Sequence, residues 1–197
     1  MLHILRQIAR TGIRTEPPPA PAEDMVVVAR LQKAILGTMG RALTIRHVDA
    51  GSCNGCELEI QALANPYYNL EGLGIRFVAS PRHADMLLVT GPVSKHMAIA
   101  LKRTYDATPE PKLVVAVGDC GCSGGIFGES YASLGGVASV LPVDVAIPGC
   151  PPAPRALLQG ILAAITAHRP PTEPTTEIAA GDMVTPTARQ PIAPDTP

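Results

Sequence analysis

The chain has 197 residues, of which only 17% are charged, and a formal net charge of −1. That length suits one well-buried domain with extensions, and the near-neutral balance gives none of the clustered Lys and Arg that nucleic-acid binders carry. Trp is absent and aromatic residues are 3% of the chain, which excludes a base-stacking platform.

Taken in chain order, residues 1–22 are expected to form an amphipathic N-terminal extension followed by a Pro-rich hinge. Leu2, Leu5, Ile8 and Ala9 share one helical face, while Arg6, Arg10 and Arg14 occupy other positions before EPPPAPAED. A basic amphipathic helix suits docking on a partner or a membrane surface. The start lacks the long apolar region and A-x-A site of a secretory signal, and no apolar run approaches the ~18 residues needed to cross a bilayer. The expected location is therefore cytoplasmic or peripheral to a membrane, where five cysteines argue for metal or redox use over a disulfide framework.

Residues 23–168 form the predicted core domain. Short apolar, β-branched runs at 42–48, 74–80, 85–91, 112–118 and 143–149 read as strands buried on both faces. Helical stretches are expected at 56–64, 94–105 and about 153–167 between and after them. Alternation of this kind predicts a doubly wound α/β fold with a parallel sheet. Residues 169–197, rich in Pro and Thr and poor in apolar residues, are predicted to be a flexible tail.

All five cysteines fall just past the carboxyl ends of predicted strands. Cys53 and Cys56 (GSCNGCELE) follow the first, Cys120 and Cys122 (GDCGCSGG) the fourth, and Cys150 (IPGCPPAP) the fifth. That edge is where open α/β sheets bind ligands. Thiols converging there read as a metal or cluster site, with an iron–sulfur cluster, zinc and thiol catalysis all open. The Cys-Pro step at Cys150 and the glycines around every thiol favour a cluster. Close backbone approach and N–H groups aimed at its sulfurs are what a cubane requires.

The segments GSCNGCELE, SPRHADMLLVTGPV, GDCGCSGGIFG and VDVAIPGCPPAP together resemble the small iron–sulfur subunit shared by NiFe hydrogenases and respiratory complex I, over about residues 40–165. The resemblance implies a flavodoxin-like domain holding one 4Fe–4S cluster at the carboxyl edge of the strands. Carried over by position, the ligands are Cys53, Cys56, Cys120 and Cys150, with Cys122 a spare, inert thiol. The C-N-G-C spacing resembles the hydrogenase branch, because complex I subunits have the first two cysteines adjacent. Periplasmic hydrogenase small subunits carry a twin-arginine leader and a cysteine-rich C-terminal domain, and this sequence shows neither. HADMLLVTG and the late GDMV stretch look like the energy-converting group, formate hydrogenlyase type.

The function the resemblance implies is electron transfer within an oxidoreductase, without bond chemistry on this chain. Implied partners are a NiFe large subunit (or a quinone-site subunit), a ferredoxin-like iron–sulfur subunit and membrane-arm subunits. The implied place is peripheral, on the cytoplasmic face of the cell membrane. Alternatives are a complex I-like subunit serving quinone and a structural zinc-binding module. Glu59 is a candidate for the transfer path, Arg82 for a cation that tunes the cluster, and Glu57 is expected to be a solvated first-turn acid. His83 reads as a structural histidine. GCSGGIFG lacks the Lys-Ser/Thr ending of a phosphate loop.

Overall fold

The computed structural model describes residues 2–11 and 23–167. The predicted hinge, with Arg14, and the predicted tail lie outside the described residues.

Strands β1 (Leu43–Asp49), β2 (Ile75–Phe77), β3 (Met86–Thr90), β4 (Leu113–Val117) and β5 (Val145–Ile147) form one sheet in the order β2-β1-β3-β4-β5. Every pairing is parallel, giving the flavodoxin-like doubly wound order. The strands form because their sequences offer apolar side chains to both faces: MLLVT and LVVAV are buried along their whole length. One face (Leu43, Ile45, Met86, Leu88, Val115, Ile147) packs on helices α2 (Glu23–Met39), α3 (Gly55–Ala62) and α6 (Pro154–Ala167). The other (Val48, Leu87, Val89, Val114, Ala116) packs on α4 (Lys95–Ala107) through Leu101 and Tyr105, and on Val137 and Leu141.

Helix α5 (Gly118–Ser123) and the three-residue length of β5 were not expected, and two further elements differ from the expected pattern. Strand β2 is three residues long, because it is an edge strand whose Arg76 and Phe77 are exposed. Helix α2 was not expected; it forms because Leu31 and Ile35, one turn apart, are both fully buried against the α6 layer. Its Val26–Val28 run has poor helix propensity, so tertiary packing overrides the local signal.

Helix α1 (Leu2–Thr11) has Leu2, Ile4, Leu5 and Ile8 all exposed. Among the described residues no helix is long and apolar enough to cross a membrane. At the amino edge of the sheet, the buried Asp85 carboxylate accepts from the Arg41 guanidinium at 2.5 and 3.1 Å. The Thr44 amide and hydroxyl also donate to it, at 3.0 and 2.6 Å. The start of β1 is thereby locked to the start of β3.

The connection leaving β1 passes to one face of the sheet and that leaving β3 to the other. Their carboxyl ends therefore diverge, and the crevice between them is the position where such sheets hold ligands.

Candidate metal centre

Three segments reach this carboxyl edge carrying thiols. After β1, the Asp49 carboxylate accepts from the Gly51 and Ser52 amides at 2.8 and 2.7 Å, turning the chain sharply. Asn54 then takes a left-handed conformation, φ 73°, and α3 begins. Cys53 lies in this turn and Cys56 in the first turn of α3. After β4, the chain enters the six-residue helix α5 (Gly118–Ser123), which carries Cys120 and Cys122. After β5 comes Gly149-Cys150. Asp119 stitches the second segment to the third: its side chain accepts from the Gly149 amide at 2.7 Å, and its own amide donates to the Gly149 carbonyl at 2.9 Å.

These connections bring Cys53, Cys56, Cys120 and Cys150 together. Burial pushes the Cys56 thiol up to about 12, helped by the adjacent Glu57 carboxylate and by the thiols of Cys53, Cys120 and Cys150. Cys120 is raised by burial, then by Cys150, Cys53 and Asp119. Thiols held this close resist ionising together, so a cation entering among them must displace protons. Cys122 has different surroundings. Its Sγ–H donates weakly to the Ala116 carbonyl at 3.9 Å, and burial, then Asp119, push it up to about 11.

Glycines make the space. A Cβ on Gly118 would stand 2.6 Å from Cys56 Sγ, and one on Gly125 would stand 2.8 Å from Cys120 Sγ. Both residues have positive φ, 81° and 55°, which a side chain would also disfavour. Among the described residues, no group of three or more His, Cys, Asp and Glu is placed to hold a metal ion. Exposed Leu58, Ile126 and Phe127 flank the thiol segments.

One acid departs from the place expected of it. Glu57 is 8% exposed, not solvated, because its carboxylate accepts from Ser52 Oγ at 2.5 Å and from Thr90 Oγ1. Glu59 is half-exposed. His47 Nε2 lies 2.9 Å from Thr90 Oγ1 and 3.6 Å from Glu57; burial lowers its pKa, against the pull of Glu57 and Asp49. Arg82 is exposed in the one-turn helix Pro81–His83, ahead of β3. It sits at the amino edge with β3's five residues, roughly 16 Å, between it and the thiol edge. His83 is beside it, its carbonyl oxygen 2.6 Å from Thr44 Oγ1. Ser52, Thr90 and His47 were not singled out by the sequence, and Glu57 was expected in solvent. The available signal was a histidine inside an apolar strand.

Residues 53–164 match the family model described as NADH ubiquinone oxidoreductase, 20 Kd subunit. The chain is 45% identical over 139 residues to a probable membrane-bound hydrogenase subunit of Pyrococcus furiosus, covering 69% of this chain and 83% of that one. It is 42% identical over 177 residues to formate hydrogenlyase subunit 7 of Escherichia coli, covering 85% and 69%. Among solved structures it resembles a chain of the membrane-bound sulfane sulfur reductase, an archaeal respiratory membrane complex. The TM-score is 0.56 at 32% identity, covering 75% of this chain and 78% of that one.

Proposed function

The chain belongs to the family of the 20 kDa subunit of NADH ubiquinone oxidoreductase, and from that premise we propose that it is the electron-transfer subunit of a membrane-bound NiFe hydrogenase complex. Cys53, Cys56, Cys120 and Cys150 would hold one 4Fe–4S cluster, which supplies one-electron transfer when bound. The observation that carries this reading is the sorting of the thiols: Cys53, Cys120 and Cys150, from three strand ends, all act electrostatically on Cys56, whereas the fifth, Cys122, lies by the Ala116 carbonyl. The donor set fits the group, since four thiolates are its usual ligands and Gly118 and Gly125 leave the thiols uncrowded by side chains. Relatives whose names place them in a membrane-bound hydrogenase and a formate hydrogenlyase favour hydrogen as the substrate of the complex.

The residues of the chain have three tasks in this role. The Asp49 turn and the Asp119–Gly149 pair fix the thiol-bearing segments. Leu58, Ile126 and Phe127 offer an apolar rim to a NiFe large subunit, and a covered rim keeps water from the thiols. Helix α1, with Leu2, Ile4, Leu5 and Ile8 exposed and Arg6 and Arg10 among its other positions, suits a peripheral seat at the cytoplasmic membrane surface. A ferredoxin-like subunit would complete the electron path.

The test is nickel and iron content, with hydrogen evolution from a reduced dye, on the anaerobically purified native complex. Nickel with hydrogen activity supports the reading. Iron without nickel or hydrogen activity transfers the same thiols to a quinone-linked, complex I-like enzyme, the reading that the family's own description favours. A colourless, iron-free complex refutes both.

A further inference from the structure

Glu57 is the third residue of α3 and directly follows Cys56. An acid at that position ordinarily reaches back to the N-cap amide. Here Asn54, the N-cap residue, makes no side-chain cap, and its amide donates to Ser52 Oγ at 3.0 Å. The Ser52 hydroxyl passes its own proton on to Glu57 Oε2 at 2.5 Å. On the other side Thr90, fully buried at the end of β3, donates to Oε1. A hydroxyl has one proton, so His47 Nε2–H is the donor to Thr90 Oγ1 at 2.9 Å. One carboxylate thus joins β1, β3, the thiol-bearing turn and α3.

Backbone packing tightens the same joint. The Ala50 amide donates to the Thr90 carbonyl at 3.0 Å, and the Ser94 amide donates to the Ala50 carbonyl at 2.8 Å. A side chain on Gly91 would collide with the Ser52 backbone. Hydrogen bonds to a buried carboxylate offset its desolvation only when well formed. An apolar or amide side chain would fill this space without that cost, and the charge stands next to a thiol of the proposed cluster. A negative charge there opposes reduction of any group the thiol holds.

We propose that Glu57 is a positioning residue that fixes the Cys53–Cys56 turn and, through its charge, holds the potential of the bound cluster down. This rests on the cluster reading above. In the anaerobically purified native complex, Glu57→Gln keeps the shape and removes the charge, and Glu59→Gln removes a half-exposed charge from the same helix. An EPR-monitored redox titration of Glu57→Gln should show the cluster reduced more easily, on the order of tenfold in the oxidised-to-reduced ratio at fixed potential, about 59 mV for one electron. Glu59→Gln should move it less.

A wild-type complex without iron or a cluster signal would refute the cluster reading, and this inference with it. A normal wild-type signal with an unshifted Glu57→Gln, or with equal shifts in both variants, overturns this inference alone. If Glu57→Gln assembles without iron, Ser52→Ala decides, because it keeps the carboxylate and removes its tie to the turn. Iron release to a chelator faster than wild type, at an unshifted potential, supports positioning; wild-type release overturns it.

Discussion

Replacing Gly118 with Ala tests the thiol cradle directly. The residue has φ 81°, and an added Cβ would lie 2.6 Å from Cys56 Sγ and 3.4 Å from the Gly149 carbonyl. Left-handed backbone costs an alanine about 1–2 kcal/mol. Overpacking against Cys56 adds about 1–3 kcal/mol, unless the sulfur moves by roughly an ångström to ordinary contact distance. Gly128→Ala is the control, since its φ is 52° with nothing within 4 Å of the added Cβ, so only the backbone term applies. Iron and acid-labile sulfide per chain, and the thermal midpoint of the complex, should both fall further in Gly118→Ala than in Gly128→Ala. Equal midpoints and full iron in the two variants would refute the cradle, leaving Gly118 a simple backbone requirement.

Cys150→Ala should abolish the intact cluster by iron content and low-temperature EPR, whereas Cys122→Ala should retain it; equal loss sinks the ligand assignment. Cys122 also carries a pH signature. Its folded pKa of about 11 exceeds the ordinary 9.0, so the folded state keeps a proton the unfolded state loses, and stability present below pH 9 declines as pH rises through 11. Cys122→Ala should remove that part of the alkaline loss in a pH series of thermal midpoints. Arg82→Glu should leave the cluster potential unchanged, because the exposed side chain sits at the amino edge and more than a Debye length of about 10 Å away; a shift would show a closer approach than the fold allows. Gly160→Ala should lower the thermal midpoint, by about 1–3 kcal/mol in stability, since its Cβ runs into the fully buried Ile147; an unchanged midpoint would show that Ile147 repacks freely.

The parallel sheet was legible because β1, β3, β4 and β5 are short apolar runs with nothing to bury them but layers on both sides. Glycine and proline punctuation placed the cysteines just past strand ends, and that alone puts them on one edge. The edge on which Arg82 lies was also readable: a residue ahead of a parallel strand lies on the edge opposite the residues that follow it. Glu57 was illegible for a deeper reason. Its burial depends on Thr90 and His47, which lie 33 and 10 residues away and meet it only once β1 and β3 pair. Helix α2 was hidden because its apolar positions answer to α6, at the far end of the domain.

The thiols are contributed by three separate strand ends, which constrains when the site can exist. A zinc knuckle closes on neighbouring residues as soon as they leave the ribosome. Here Cys150 is made well after Cys53, and at roughly 5–20 residues per second several seconds separate them. Even then Cys150 reaches the others only when β5, a three-residue edge strand, has paired with β4. Assembly of the centre is thus a late event that reports completion of the sheet. Cys53 and Cys150 stay exposed at the finished rim.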